Sequence, residues 1–380
     1  MTSASLGVIP RSLRAEQLKR LSFLCGLPVS GRKEELTSRL AVAAAAAAAS
    51  NASLPSQSRS VPVVLSIDLG IRNLAYSLLT PVSPPAPLSG KTGVKAKKKR
   101  GGVPPSPSCV GTGPPAITLH AWQRLSLLEG HAAPPAQGGD VEALLHMDAA
   151  ESVFAPAALA KTANAFLRDT LLRLDPLPTH ILIERQRWRS GGAPAIQEWT
   201  VRVNTLEAML HASLRTLRDV GVWSGDVMSI RPERVGQLFL DAGRPGSGAA
   251  VRKQGLEAGG VDASVHAPGK RTTRRKTGAE TKKMKIELLG GWLGQGDLVV
   301  RPGNVGTGHM LDAYRDAVSG TKRTRAKRTA DNNDTGEKLM ALGTKLDDLT
   351  DSLLQGMAWL RWHENMALLQ RPGGVEQLLG

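Results

Sequence analysis

Apolar positions along the chain change their spacing several times, and each change marks a different kind of element. Val63, Val64, Leu65 and Ile67 form a run that ends on Asp68; Gly70, Arg72 and Asn73 supply a turn, and Leu74 to Leu79 climb back. Two short apolar runs joined by turn residues predict a buried β-hairpin. Three later segments predict further strands: AITLHAWQRLSLL at 116–128, THILIERQ at 179–186 and DVMSIRPERV at 226–235. Between them, 155–174 and 195–217 place apolar residues at i, i+3, i+4 and i+7, the period of a helix that packs by one face. Helices are also expected around 280–293 and 346–366.

The N-terminal region is patterned differently. Leu13, Leu18, Leu21 and Leu24 recur at helical spacing, GLP makes a turn, and Ser30 can cap a second helix carrying Leu36 and Leu40 on one face. A helical hairpin is therefore expected over 1–42, an Ala/Ser/Pro linker over 43–60, and one main domain over 61–370. Three Gly-, Pro- or Lys/Arg-rich stretches lack any packing period and are expected to be basic loop insertions: 81–115 with KAKKKR, 242–283 with GKRTTRRKTGAETKK, and 319–338 with TKRTRAKR. A strand hairpin, a third strand and then alternating helix and strand is the order of an α/β ribonuclease H-like fold, a mixed sheet flanked by helices.

Composition narrows the possible partners. Lys and Arg total 49 against 33 Asp and Glu, leaving +16 over 380 residues, which favours a polyanion. No apolar run reaches the roughly 18 residues needed to cross a bilayer, so no membrane partner is expected. Aromatic residues make up only 3%, so the core must be mostly Leu, Val and Ala. Cys25 and Cys109 are too few for a disulfide framework or a thiolate zinc site. Arg11, Arg14, Lys19 and Arg20 against the single acid Glu16 give the first twenty residues a weakly transit-like character.

Charge placement within the apolar segments points to chemistry. Asp68 and Glu184 each stand at the end of an apolar strand, where an unpartnered carboxylate is costly. KLDDLTDSLLQGMAWLRW puts Asp347, Asp348 and Asp351 at the start of an amphipathic helix, and either neighbour shares a face with Asp351. Each acid taken singly reads as a cap, a surface ion pair or a favourable charge at a helix start. Taken together they form an oxygen-only set suited to Mg2+ or Mn2+. Two such ions about 3.5–4 Å apart can hold a phosphodiester and activate water, and the basic surroundings offset the repulsion of DNA.

SIDLGIRNLAYSLL, ILIERQRWRSG and KLDDLTDSLLQGMAWLRW closely resemble the three signature blocks of the fungal mitochondrial Holliday-junction resolvases, relatives of the bacterial RuvC resolvase. The N-terminal hairpin resembles the SAP module, a small DNA-binding unit that also occurs in that family. The resemblance implies catalytic, metal-holding roles for Asp68, Glu184 and Asp351, with Asp347 or Asp348 beside them. Arg185, Gln186, Arg187 and Arg189 would lie near the scissile strand and, with Arg72, Lys345, Arg32 and Lys33, would bind DNA. It further implies a homodimer in the mitochondrial matrix that acts on four-way DNA junctions with Mg2+ (Mn2+ able to substitute, two ions per site) and no small-molecule cofactor. The long basic insertions depart from the family pattern. Rival readings are a non-catalytic SAP-type mitochondrial DNA-binding protein and a generic ribonuclease H-like nuclease. An actin-like or sugar-kinase-like ATPase, suggested by DLGIRN, lacks a second Asp-Gly-rich phosphate loop.

Overall fold

The computed structural model describes residues 9–52, 61–82, 111–128, 153–186, 196–240, 278–296, 298–319 and 346–380. Its centre is a six-stranded mixed sheet in the order β5-β4-β1-β2-β3-β6. The strands are β1 (Val64–Asp68), β2 (Leu74–Pro81), β3 (Ile117–Leu125), β4 (His180–Glu184), β5 (Asp226–Ile230) and β6 (Val300–Pro302). β1, β2 and β3 form an antiparallel meander, β4 and β5 join β1 in parallel, and β6 lies parallel to β3. Strand β1 is covered on both faces, which is why its residues read as a continuous apolar run rather than an alternation.

Helices close each face. On one, α3 (Pro156–Asp169) and α4 (Glu198–Asp219) bring Leu159, Phe166, Leu206 and Leu210 against Leu65, Ile67, Ile181 and Ile183. On the other, α5 (Pro232–Leu240), α6 (Gly278–Gln295), α7 (Val305–Ser319) and α8 (Leu346–Leu369) cover Val64, Leu79, Leu119, Trp122 and Leu182. The result is the ribonuclease H-like α/β sandwich expected from the element order.

Helix α8 crosses the sheet at Gly356. A Cβ there would lie 2.8 Å from Leu79 Cδ2 and 3.2 Å from Ser66 Cβ, so the helix approaches β1 and β2 as closely as a glycine permits. Next to it, the buried Gln355 Nε2 donates to Ser66 Oγ (3.1 Å) and to the Ile67 carbonyl (3.2 Å). Gly356→Val should therefore lower stability by about 1–3 kcal/mol through overpacking. Urea denaturation checks this, and an unchanged midpoint would mean the helix can ride outward at no cost.

Several sequence expectations are corrected. The fifth strand ends at Ile230, and Pro232 starts helix α5, a position where its missing N–H costs nothing. Val235, Leu238 and Phe239, at i, i+3 and i+4, are the buried face of that helix. Helix α6 begins at Gly278, so the last residues of the segment expected as a loop through 283 are helical. Strand β6, helix α7 and a short terminal helix α9 (Gly374–Leu379) were not anticipated. Residues 83–110, 242–277 and 320–338, which hold most of the three expected insertions, lie outside the described residues.

The N-terminal helices α1 (Ala15–Leu24) and α2 (Lys33–Ala52) pack on each other, and the alanines expected to open a linker continue α2 through Ala52. Leu18, Leu21, Leu24, Leu36 and Leu40 share a buried cluster with Met366 and Leu369 of α8 and Leu378 of α9. Asn365 Nδ2 donates to the Leu24 carbonyl (2.6 Å) and Arg234 Nη1 to the Gly26 carbonyl (2.8 Å). The hairpin is thus built onto the far end of α8 and is not merely tethered to the sheet domain.

Candidate active site

Strands β1 and β4 run parallel with Ile67 opposite Ile183, so Asp68 and Glu184 leave the sheet side by side at its carboxyl edge. Ligand sites of open α/β sheets gather at this edge. Helix α8 starts over it and carries Asp347, Asp348 and Asp351 in its first turns. The residues between and after those acids fix the helix. Trp122 Nε1 donates to the Leu349 carbonyl (3.0 Å), Ser77 Oγ donates to the Ser352 carbonyl (3.0 Å), and the Tyr314 and Thr350 hydroxyls bond at 2.6 Å. Each anchor is buried, so the acids are carried on a helix with little freedom to shift.

The electrostatics show which acids act on one another. Burial pushes the Asp68 carboxyl well above the usual range, reinforced by a hydrogen bond with Glu184 and by the charges of Glu184, Asp351 and Asp348. Burial likewise raises Asp351, with Glu184 and Asp347 adding repulsion against the opposing pull of Lys285. Asp347 behaves differently. Burial would raise it, but the hydrogen bond and charge of Lys282, with backbone N–H groups, hold it low. Of the two neighbours the sequence left open, Asp348 acts on Asp68 and Asp347 is turned to Lys282.

Two lysines absent from the sequence-based site complete the cluster. Lys285 Nζ lies 2.7 Å from Asp351 Oδ1, and Lys282 Nζ lies 2.5 Å from Asp347 Oδ2. They sit one turn apart on α6. Their i, i+3 spacing was legible, but Lys282 fell inside a stretch assigned to a basic loop.

The expected DNA-contacting residues divide. Arg185 follows Glu184 directly, and its backbone N–H donates to the Ile230 carbonyl at 2.8 Å. Gln186 is engaged structurally: its Nε2 donates to the Leu69 carbonyl at 3.2 Å, tying the end of β4 to the β1–β2 turn, and its backbone N–H donates to Glu207 Oε2 of α4, also at 3.2 Å. Arg72, on that turn, lies over the Trp199 ring at 5.7 Å. Arg187, Arg189 and Lys345 lie outside the described residues. Arg32 and Lys33 are exposed on the hairpin, where Lys33 Nζ donates to the Arg11 carbonyl at 3.0 Å and the Arg32 backbone N–H to Glu35 Oε2 at 3.1 Å. Asp351 and Met366, which touches the hairpin, are roughly 22 Å apart at 1.5 Å rise per residue. The fold does not bring the hairpin's lysine and arginine to the acids.

Among the described residues, no three His, Cys, Asp or Glu side chains converge closely enough to hold a metal ion as they stand. The acids relieve their repulsion pairwise instead, Asp68 with Glu184, Asp351 with Lys285 and Asp347 with Lys282. The donor chemistry nevertheless fits a hard divalent cation. All donors are carboxylate oxygens, and the ammonium drawn to Asp351 marks the same excess of negative charge that a cation would neutralise.

The fold thus brings an acid at the end of the first strand, a second on its parallel neighbour and more on the closing helix to one edge of the sheet. The chain belongs to the family described as mitochondrial resolvase Ydc2 / RNA splicing MRS1, whose catalytic region matches residues 64–369. A curated relative, the mitochondrial cruciform cutting endonuclease 1 of Schizosaccharomyces pombe, is 28% identical over 195 residues, 51% of this chain. The match spans about half of that relative, 53% of its length. The crystal structure of the yeast mitochondrial Holliday junction resolvase Ydc2 aligns over 93% of this chain and 95% of its own, at 19% identity and a TM-score of 0.47.

Proposed function

We propose that this protein is a divalent-metal-dependent, structure-selective endonuclease that resolves four-way DNA junctions in the mitochondrial matrix by paired nicks. The observation that carries this reading is the meeting of Asp68, Glu184, Asp348 and Asp351 at one sheet edge, in a chain of net charge +16. Mg2+, with Mn2+ able to replace it, would be held by Asp68 and Glu184 together with Asp348 and Asp351. A second ion would require Asp351 to give up Lys285. Bound there, a divalent ion supplies activation of water and stabilisation of charge at the phosphodiester.

The remaining work falls to this chain's own residues. Gln186 fixes the β4 end against the β1–β2 turn, which sets the spacing of Asp68 and Glu184. Asp347, held by Lys282, serves the helix start, and Asp348 is the neighbour that serves the site. Arg185 and Arg72, with Arg187, Arg189 and Lys345, would contact phosphates, and the SAP-like hairpin would add DNA affinity through Arg32 and Lys33. A homodimer follows from the substrate, since a two-fold junction cut on opposing strands needs two equivalent sites. No small-molecule cofactor enters this reading.

The family description includes an RNA-splicing protein, and the two lysines satisfy two of the acids without metal. That favours, as a second reading, a nucleic-acid-binding protein that does not cut. Incubation with Mg2+ and four-way, three-way, nicked and RNA–DNA hybrid substrates separates these. The nuclease reading expects paired nicks in the four-way junction. Preferential cutting of the hybrid would replace it with a ribonuclease H, and tight binding without cleavage would favour the second reading.

A further inference from the structure

Lys285 is placed unlike the other lysines of α6. Its side chain is only 12% exposed, whereas that of Lys282 is 59% exposed. It is delivered by a packed element, because Leu289 and Leu293 of the same helix share a core with Leu349 and Leu353 of α8. A nearly enclosed ammonium persists only where a carboxylate compensates it, and Asp351 does so at 2.7 Å. A second divalent ion sharing Asp351 would stand within a few ångströms of this ammonium, at like-charge repulsion that a dry site screens poorly.

We propose that Lys285 is a built-in counter-cation that occupies the Asp351 side of the acid site, so that each chain takes one readily exchanged divalent ion rather than two. The inference rests on the nuclease reading and deepens it by making the two cation positions unequal. On the Asp68–Glu184 side the two carboxyls pair with each other, a pairing an ion can replace, and the Asp351 side is held by a side chain on a packed helix. Loading the second position requires the ammonium to leave Asp351, and that displacement opposes the second ion specifically. Lys282 has a smaller effect, because its side chain is more exposed and its direct partner is Asp347 rather than Asp351.

Mn2+ bound per chain, counted by electron paramagnetic resonance during titration of the purified full-length protein, tests this without any cleavage readout. Wild type should bind one Mn2+ in the range where Lys285→Met, which keeps the apolar stem, binds two, with affinity for the second ion raised at least tenfold. Lys285→Arg retains the charge and should stay at one, as should Lys282→Met. Two ions of similar affinity on wild type, one ion on both wild type and Lys285→Met, or an equal gain from Lys282→Met would each overturn the assignment. If Lys285→Met is not folded by circular dichroism, wild type and Lys285→Arg still decide it: two ions on either refute it. No Mn2+ bound by any variant would instead remove the nuclease reading beneath it.

Discussion

Asp68→Asn, Glu184→Gln and Asp351→Asn should each cut a four-way junction at least about 10²-fold more slowly than wild type, the loss that follows removal of one group stabilising transition-state charge. Junction affinity should be unchanged or higher, because each change removes negative charge from the path of a phosphate. Asp68→Asn should also stabilise the metal-free fold at neutral pH. The folded carboxyl is raised above its unfolded value, so the folded state binds more protons and stability falls as pH rises. The penalty is absent below the unfolded value, grows through the window between the two and is complete above the folded one. The gain from the amide should therefore be small near pH 4 and larger near pH 7. Thermal melts across pH in EDTA, beside gel-based cleavage and binding, measure all of this. Equal loss of binding and cutting with a lowered melting temperature would assign Asp68 a structural role.

Removing the N-terminal hairpin should destabilise the whole chain. Deleting residues 1–52 strips the cover from Met366, Leu369 and Leu378 and leaves Asn365 without its Leu24 acceptor. The single change Leu24→Ala, at a fully buried position, should cost about 2–5 kcal/mol. The truncated chain should therefore melt at lower temperature as well as bind DNA less tightly. An unchanged denaturation midpoint, with only affinity reduced, would restore the picture of a hairpin on a free linker.

The difference between those outcomes is also where the sequence was hardest to read. The strand core was legible because β1 and β4 are buried on both faces and write that burial as unbroken apolar runs ending abruptly on Asp68 and Glu184. Asp348 and Asp351 were legible as a pair for a related reason, since helical spacing alone puts them on one face. The choice between Asp347 and Asp348 was not, because it depends on Lys282, a side chain 65 positions away from Asp347. Alanine is the strongest helix former, and the alanines of 43–49 continue α2 rather than opening a linker, which composition alone did not decide. Arg231 and Pro232 hid the start of α5 inside an apparent strand, although Pro is common at a helix start.

Gln186 and Lys285 carry a similar lesson. Both lie beside the acids, and both are committed to protein partners that local sequence cannot reveal. Gln186, expected near the substrate, ties β4 to the β1–β2 turn through the Leu69 carbonyl. Lys285 was not singled out, and its ammonium is the partner of Asp351. Basic and polar residues beside these acids thus include two that are held by protein partners.

The most direct test of the central claim is a metal switch on a preformed complex. A four-way junction is bound in EDTA, excess unlabelled junction is added to prevent rebinding, and Mg2+ then starts the reaction. The acid site described here predicts that binding precedes metal, and that Mg2+ produces nicks in two opposing strands from the already bound complex. Cleavage in EDTA, or a stable complex that Mg2+ never converts to nicked arms, would contradict it.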